Sequence, residues 1–139
     1  MVYTYGYIGI KRLGAGQFYL IGIKDKDGNA LDGAKTYRLH VPPNVPVEQY
    51  WSLTAYDRET HALIKGMDRA SRASNVAEVQ KNPDGSIDIY LGPTAPAGKE
   101  SNWIPTDPKR PFELMFRLYG PTKALFDKAW TLPDVEMVQ

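Results

Sequence analysis

Two stretches of this sequence bring together residue types that could bind or transform a small polar molecule. In the first, Glu100, Asn102 and Trp103 are near neighbours, and Arg117 and Tyr119 follow on a run that alternates with Phe112, Leu114, Phe116 and Leu118. Aromatic faces beside Asn, Glu and Arg would suit a sugar or another small polar ligand. The same residues also read structurally, with Arg117 paired to Glu100 and Trp103 plugging one end of a sheet sandwich. In the second, Asp57, Glu59 and His61 would project to one side of an extended chain. Two carboxylates and an imidazole could hold a divalent metal or do acid–base work. Asp57 ends an alternating run beside Tyr56, and a buried carboxylate that ties down a turn accounts for its place equally well.

Two further groups carry weaker signals. Arg69 and Arg72 stand three apart on a predicted helix, so both could face one anion; surface pairing with Asp68 or Glu78 is the alternative. Asp25, Asp27 and Asn29 imitate the first ligands of a calcium loop. The imitation fails further on, because Ala30 stands where the loop needs Gly and Thr36 where it needs a bidentate Glu. A polar hairpin turn is expected there instead. No glycine-flanked serine elbow, phosphate loop or zinc-protease motif is present. Gly14-Ala15-Gly16 lacks a third glycine and a following helix. His40 and His61 are the only histidines, and neither is spaced for a serine triad. Neither a cofactor nor a required metal is expected.

Composition narrows the classes further. The chain has 139 residues, 42% hydrophobic and 24% charged, the profile of one globular domain with its own core. We therefore expect a single domain over residues 1–139. Net charge is +1 with Lys and Arg scattered, so the basic patch of a nucleic-acid binder is missing. The absence of cysteine excludes disulfides, thiolate zinc sites and cysteine nucleophiles. No apolar run approaches the ~20 residues of a membrane-spanning helix. A strand-like run begins directly after Met1 with no signal peptide ahead of it. That start suits a processed or trimmed chain, and with it an extracytoplasmic place, but composition does not fix the compartment.

The elements that must position these residues show mainly period-two alternation. Tyr37, Leu39 and Val41 oppose Thr36, Arg38 and His40; Trp51, Leu53 and Ala55 oppose Ser52, Thr54 and Tyr56. Ile87, Ile89 and Leu91 form another apolar face, and further runs cover Val2–Ile10 and Gln17–Lys24. Pro42, Pro43 and Pro46 make a stiff connection, and Asn82-Pro83-Asp84-Gly85 reads as a type I turn. Short helices are predicted at Met67–Asn75 and Pro121–Ala129, the second with Pro in its first turn. Eleven prolines and twelve glycines punctuate the rest. About seven strands with frequent turns point to an all-β fold, a β-sandwich of jelly-roll type.

Several of these segments carry a family resemblance. Tyr50-Trp51-Ser52-Leu53-Thr54-Ala55-Tyr56-Asp57, Asn82-Pro83-Asp84-Gly85-Ser86 and Glu100-Ser101-Asn102-Trp103-Ile104-Pro105 are three of its pieces. Phe116-Arg117-Leu118-Tyr119-Gly120-Pro121 and Trp130-Thr131-Leu132-Pro133 complete it. In order and spacing the chain resembles the family known as domain of unknown function 1214. The resemblance implies a jelly-roll-like sandwich, usually the C-terminal half of a larger bacterial protein, that tends to oligomerise. It supplies no catalytic residue. Expected partners are therefore a second copy of the chain, or a second uncharacterised domain on this chain or another.

Two functions follow. One is a non-catalytic binding or assembly module, favoured by nine tyrosines and three tryptophans, types suited to interfaces. The other is an enzyme, hydrolase-like, acting on a small polar or glycan-type substrate through carboxylates such as Asp57 or Glu100 beside Arg117.

Overall fold

The computed structural model describes residues 3–8, 17–22, 24–45, 47–60, 71–74, 79–121, 132 and 135–138. Among these residues nine strands run in chain order: β1 (Tyr3–Ile8), β2 (Gln17–Gly22), β3 (Tyr37–Val41), β4 (Val47–Asp57), β5 (Ser71–Ala73), β6 (Ile87–Gly92), β7 (Trp103–Pro105), β8 (Phe112–Pro121) and β9 (Glu136–Met137). They form a five-stranded sheet ordered β1-β2-β8-β4-β5 and a four-stranded sheet ordered β7-β6-β3-β9. Every pairing is antiparallel except β6 with β7. The one helical segment among the described residues is a 3-10 turn, Glu100–Asn102.

The alternation in the sequence becomes the core. Tyr37, Leu39, Val41, Ile87, Ile89, Leu91 and Ile104 come from the four-stranded sheet. Trp51, Leu53, Ala55, Phe112, Leu114, Phe116 and Leu118 come from the five-stranded one, and all of them are buried in a single cluster. Burying each large apolar side chain stabilises the fold by roughly 1.5–3 kcal/mol, so the two inner faces hold the sheets together as a sandwich. One aromatic pair ties the layers, Tyr37 meeting Phe112 edge-on at 5.6 Å, while Trp51 stacks on Phe116 at 5.2 Å within the five-stranded sheet. Burial raises the Tyr37 phenol above its ordinary value, and its oxygen accepts the Asp32 N–H at 2.9 Å.

Turn chemistry closes the strands where the sequence indicates. Gly85 N–H donates to Asn82 O at 2.9 Å, with Gly85 at φ 88°. Asp25 is buried, and its Oδ1 accepts the N–H groups of Asp27 and Asn29 at 2.9 and 3.0 Å. That is an Asx turn closing a hairpin, with both donors drawn from the backbone.

The helix expected over Met67–Asn75 is corrected in its middle. Ser71–Ala73 is a strand, paired with Ser52–Thr54 of β4. Helical spacing of Arg69 and Arg72 is a local signal, and the open edge of β4 supplies backbone partners that override it. Arg69 lies outside the described residues. In the second predicted helix, Pro121 closes β8, and residues 122–129 lie outside the description.

Candidate functional site

The residues singled out in the sequence divide between the two sheets. Arg117 and Tyr119 sit on β8, alternating with core residues Phe116 and Leu118, on the face of the five-stranded sheet turned away from the core. There Arg117 Nη2 donates to the Tyr56 hydroxyl at 2.9 Å, and Tyr119 stacks on Tyr50 at 4.4 Å. Arg117 Nε is buried without a hydrogen-bond partner among the described residues. Trp103 begins β7, alternating with core Ile104, and stands beside Tyr90 on the outer face of the other sheet. Its indole N–H donates to Gly92 O at 3.0 Å. The core separates the two outer faces, so Glu100, Asn102 and Trp103 do not meet Arg117 and Tyr119 in one pocket.

Asn102 is the busiest of the group and buried. Its Oδ1 accepts the Gln80 N–H at 2.7 Å, while Nδ2 donates to Gln80 O at 2.9 Å and Asp88 O at 3.0 Å. The amide thus fixes the segment ahead of β6 to β6 itself. Glu100, two residues before it, is exposed.

Asp57 sits at the end of β4, and its carboxylate is committed to structure. Oδ1 accepts the N–H groups of Glu59 at 2.9 Å and Thr60 at 3.1 Å. Arg110 reaches it twice, through Nε to Oδ2 and through Nη2 to Oδ1 at 3.2 Å. The Arg110 guanidinium holds the Asp57 carboxyl down to about 2, with the two backbone N–H donors assisting. Glu59 accepts from the same guanidinium at 3.1 Å. A cation from the protein therefore stands where a metal shared by Asp57 and Glu59 would sit, and His61 lies outside the described residues. Among the described residues no three His, Asp or Glu side chains gather to hold a metal ion. Arg72 is buried on β5 opposite core Leu53, its Nε and Nη2 without partners among the described residues.

Two arrangements escaped the sequence reading. On the outer face of the four-stranded sheet, His40 Nδ1 lies 2.7 Å from Asp88 Oδ1. Asn82 Nδ2 bridges Asp88 and Ser86 at 3.1 and 3.0 Å, and the Ser86 hydroxyl donates to Asp84 at 2.5 Å. Those Ser86 bonds hold the Asp84 carboxyl below its ordinary value. Both His40 and Asp88 oppose an apolar face in the sequence, but only the β3–β6 register puts them side by side.

The second is a cavity of about 190 Å³ at one end of the sandwich, framed by the Pro42–Val45 connection and the 82–86 turn. Its apolar lining includes Val47 and Trp51 from one sheet and Val41 and Ile87 from the other; Ser74 and Lys81 are among its polar groups. Ser74 is held in place by two bonds to Trp51: its Oγ accepts the Trp51 N–H at 3.1 Å, and its own N–H donates to Trp51 O at 3.0 Å. Lys81 has no ion-pair partner among the described residues. The apolar lining of this end was legible in the alternation. The convergence of Lys81 and Ser74 on it was not, since both belong to the irregular segment between β5 and β6.

The family described as protein of unknown function (DUF1214) matches residues 16–123, more than half of the sequence, and the chain belongs to that family. The chain is similar to the VPA0106 protein from Vibrio parahaemolyticus, with 25% identity and a TM-score of 0.75 over 88% of this chain. It shares its fold with an uncharacterised protein from Burkholderia cenocepacia, at 20% identity and a TM-score of 0.55 over 91% of this chain. In each case it spans 31% of the other chain's length. No match is found among the curated proteins. No helix among the described residues is long and apolar enough to cross a membrane.

Proposed function

We propose that this domain is a non-catalytic binding module that takes a small ligand at the open end of its sandwich. The observation that carries the reading is the cavity between the sheets, where apolar and polar groups share the lining and Lys81 has no ion-pair partner among the described residues. Elsewhere two of the polar residues that suggested chemistry serve the fold: Asp57 is bound by Arg110, and Asn102 by Gln80 and Asp88. Because the unit spans about a third of each solved relative, it works beside further structure in those proteins. Association with a second domain or a second copy is part of the proposal.

The test is a small-molecule screen followed by amide chemical shifts of the whole chain. We expect saturable shifts at Val41, Trp51, Ser74 and Gly85, with the compound recovered unchanged. Turnover of the compound would overturn the non-catalytic reading, and shifts confined to other surfaces would overturn the pocket.

The enzymatic alternative has one observation in its favour, the imidazole of His40 aligned by Asp88 with its ring 44% exposed. A hydrolase built on it loses activity in His40→Gln while the pocket shifts persist. Unchanged hydrolysis in that variant would end this reading.

A further inference from the structure

We propose that the ligand of the end cavity is a small monocarboxylate with an apolar body, its carboxylate held by the Lys81 ammonium and the Ser74 hydroxyl. This deepens the binding reading above and rests on it. Size comes first. At about 190 Å³ the cavity, open on one side, has room for a phenyl or branched aliphatic group but not for a disaccharide.

The donors select the head group. The Ser74 oxygen is occupied as acceptor for the Trp51 N–H, which leaves its hydroxyl proton to donate. Lys81 supplies a point charge with three N–H donors and no partner among the described residues to compete for it. Asp84, three residues further on, is engaged elsewhere, accepting both the backbone N–H at 2.9 Å and the hydroxyl of Ser86. One cation and one hydroxyl match a single negative charge. A phosphate dianion would keep an unmatched charge against Val47, Trp51 and Ile87.

The walls are set before a ligand arrives. Pro42 and Pro43 fix their own φ angles, and Asn44 turns the corner at φ 61°. At Gly85 a Cβ would lie 3.5 Å from Pro43 Cβ, so the facing turn is already in van der Waals reach of that wall. The backbone of these walls needs little ordering on binding, and the exposed Lys81 side chain is what a ligand must fix.

The experiment titrates the intact chain with isovalerate, benzoate and phenylacetate, each against its primary amide, and with methyl phosphate. It follows the amide shifts of Trp51 and Ser74. A carboxylate accepting from the Ser74 hydroxyl polarises that oxygen and changes the Trp51 N–H it receives. We expect at least one acid to bind saturably and its amide about tenfold or more weaker, as for losing a charge-assisted bond. Lys81→Met should weaken the acid by a similar factor and leave the amide unchanged, and Lys81→Arg should restore most of the acid's affinity. Equal binding of acid and amide would overturn the carboxylate inference and leave the binding pocket standing. Tighter binding of methyl phosphate would overturn it in favour of a phosphate. No response at Trp51 or Ser74 to any compound would overturn both proposals.

Discussion

Strand β4 runs from Val47 to Asp57, and its two ends are finished in opposite ways. At the Asp57 end every prominent charge has an internal partner. Arg110 serves Asp57 and Glu59, Arg58 reaches Glu113 at 3.6 Å, and Arg58 N–H donates to Pro111 O at 3.1 Å. The backbone there is packed so closely that Gly33 lies against Asp107 and Arg110. At the Val47 end the strand opens onto a cavity, with a lysine that pairs with nothing described and a serine hydroxyl with a proton to donate. Charges that satisfy one another are explained by folding alone. Donors that face space are not, and that asymmetry is why we place binding at one end and bracing at the other.

Breaking the braced end should give the largest effect. A Cβ at Gly33 would fall 1.9 Å from Asp107 O and 2.6 Å from Arg110 O, both backbone atoms that cannot rotate aside. Gly33→Ala should therefore lose about 3 kcal/mol or more in urea unfolding, toward the upper end of overpacking costs. A loss under about 1 kcal/mol would show that this corner is looser than its geometry states.

Asn102→Ala comes next. It strips partners from Gln80 and from the Asp88 carbonyl, and Asn102 itself is only 4% exposed. We expect a loss of about 2 kcal/mol, because exposed Gln80 regains water while the Asp88 carbonyl sits inside the sheet edge. A neutral result would remove the amide from the structural side of the comparison.

A smaller change should follow from Asp57→Asn, since Arg110 is 38% exposed and solvent screens the pair. Its signature is a slope with pH. The folded carboxyl titrates at about 2, below its unfolded value of ~3.9. The stabilisation is thus complete above that unfolded value and is lost as pH falls towards 2. Thermal unfolding of the parent should drop through that window, and Asp57→Asn should flatten the drop. Parallel curves for the two proteins would show that Arg110 contributes nothing through this carboxylate.

The core was legible because it repeats: Tyr37-Leu39-Val41 and Phe112-Leu114-Phe116-Leu118 declare which face is buried before any partner is known. The turn at Asn82–Gly85 was legible because its residues satisfy local φ requirements. What failed was anything set by pairing across the fold. Arg117 and Trp103 both stand opposite apolar faces, but the sequence does not say that those faces belong to different sheets. Arg72 has helical spacing from Arg69, yet the edge of β4 draws it into a strand. His40 and Asp88 became neighbours only through register, 48 residues apart. Alternation reports in from out; it carries no information about which strand lies alongside.

The smallest effect on stability belongs to Lys81, and it sharpens the comparison most. Lys81 is exposed, forms no ion pair among the described residues, and belongs to no regular element. If its role is to meet a ligand, the fold without ligand gains nothing from its charge. Lys81→Met should then unfold within about 0.5 kcal/mol of the parent, as surface changes away from specific contacts do. Urea unfolding at neutral pH measures this directly, and the same protein serves the ligand titration. A loss of 1 kcal/mol or more, on the order of a net hydrogen bond, would mean that Lys81 braces its end as Arg110 braces the other. The two ends of β4 would then differ in geometry alone, and the reason for placing binding between the sheets would be gone.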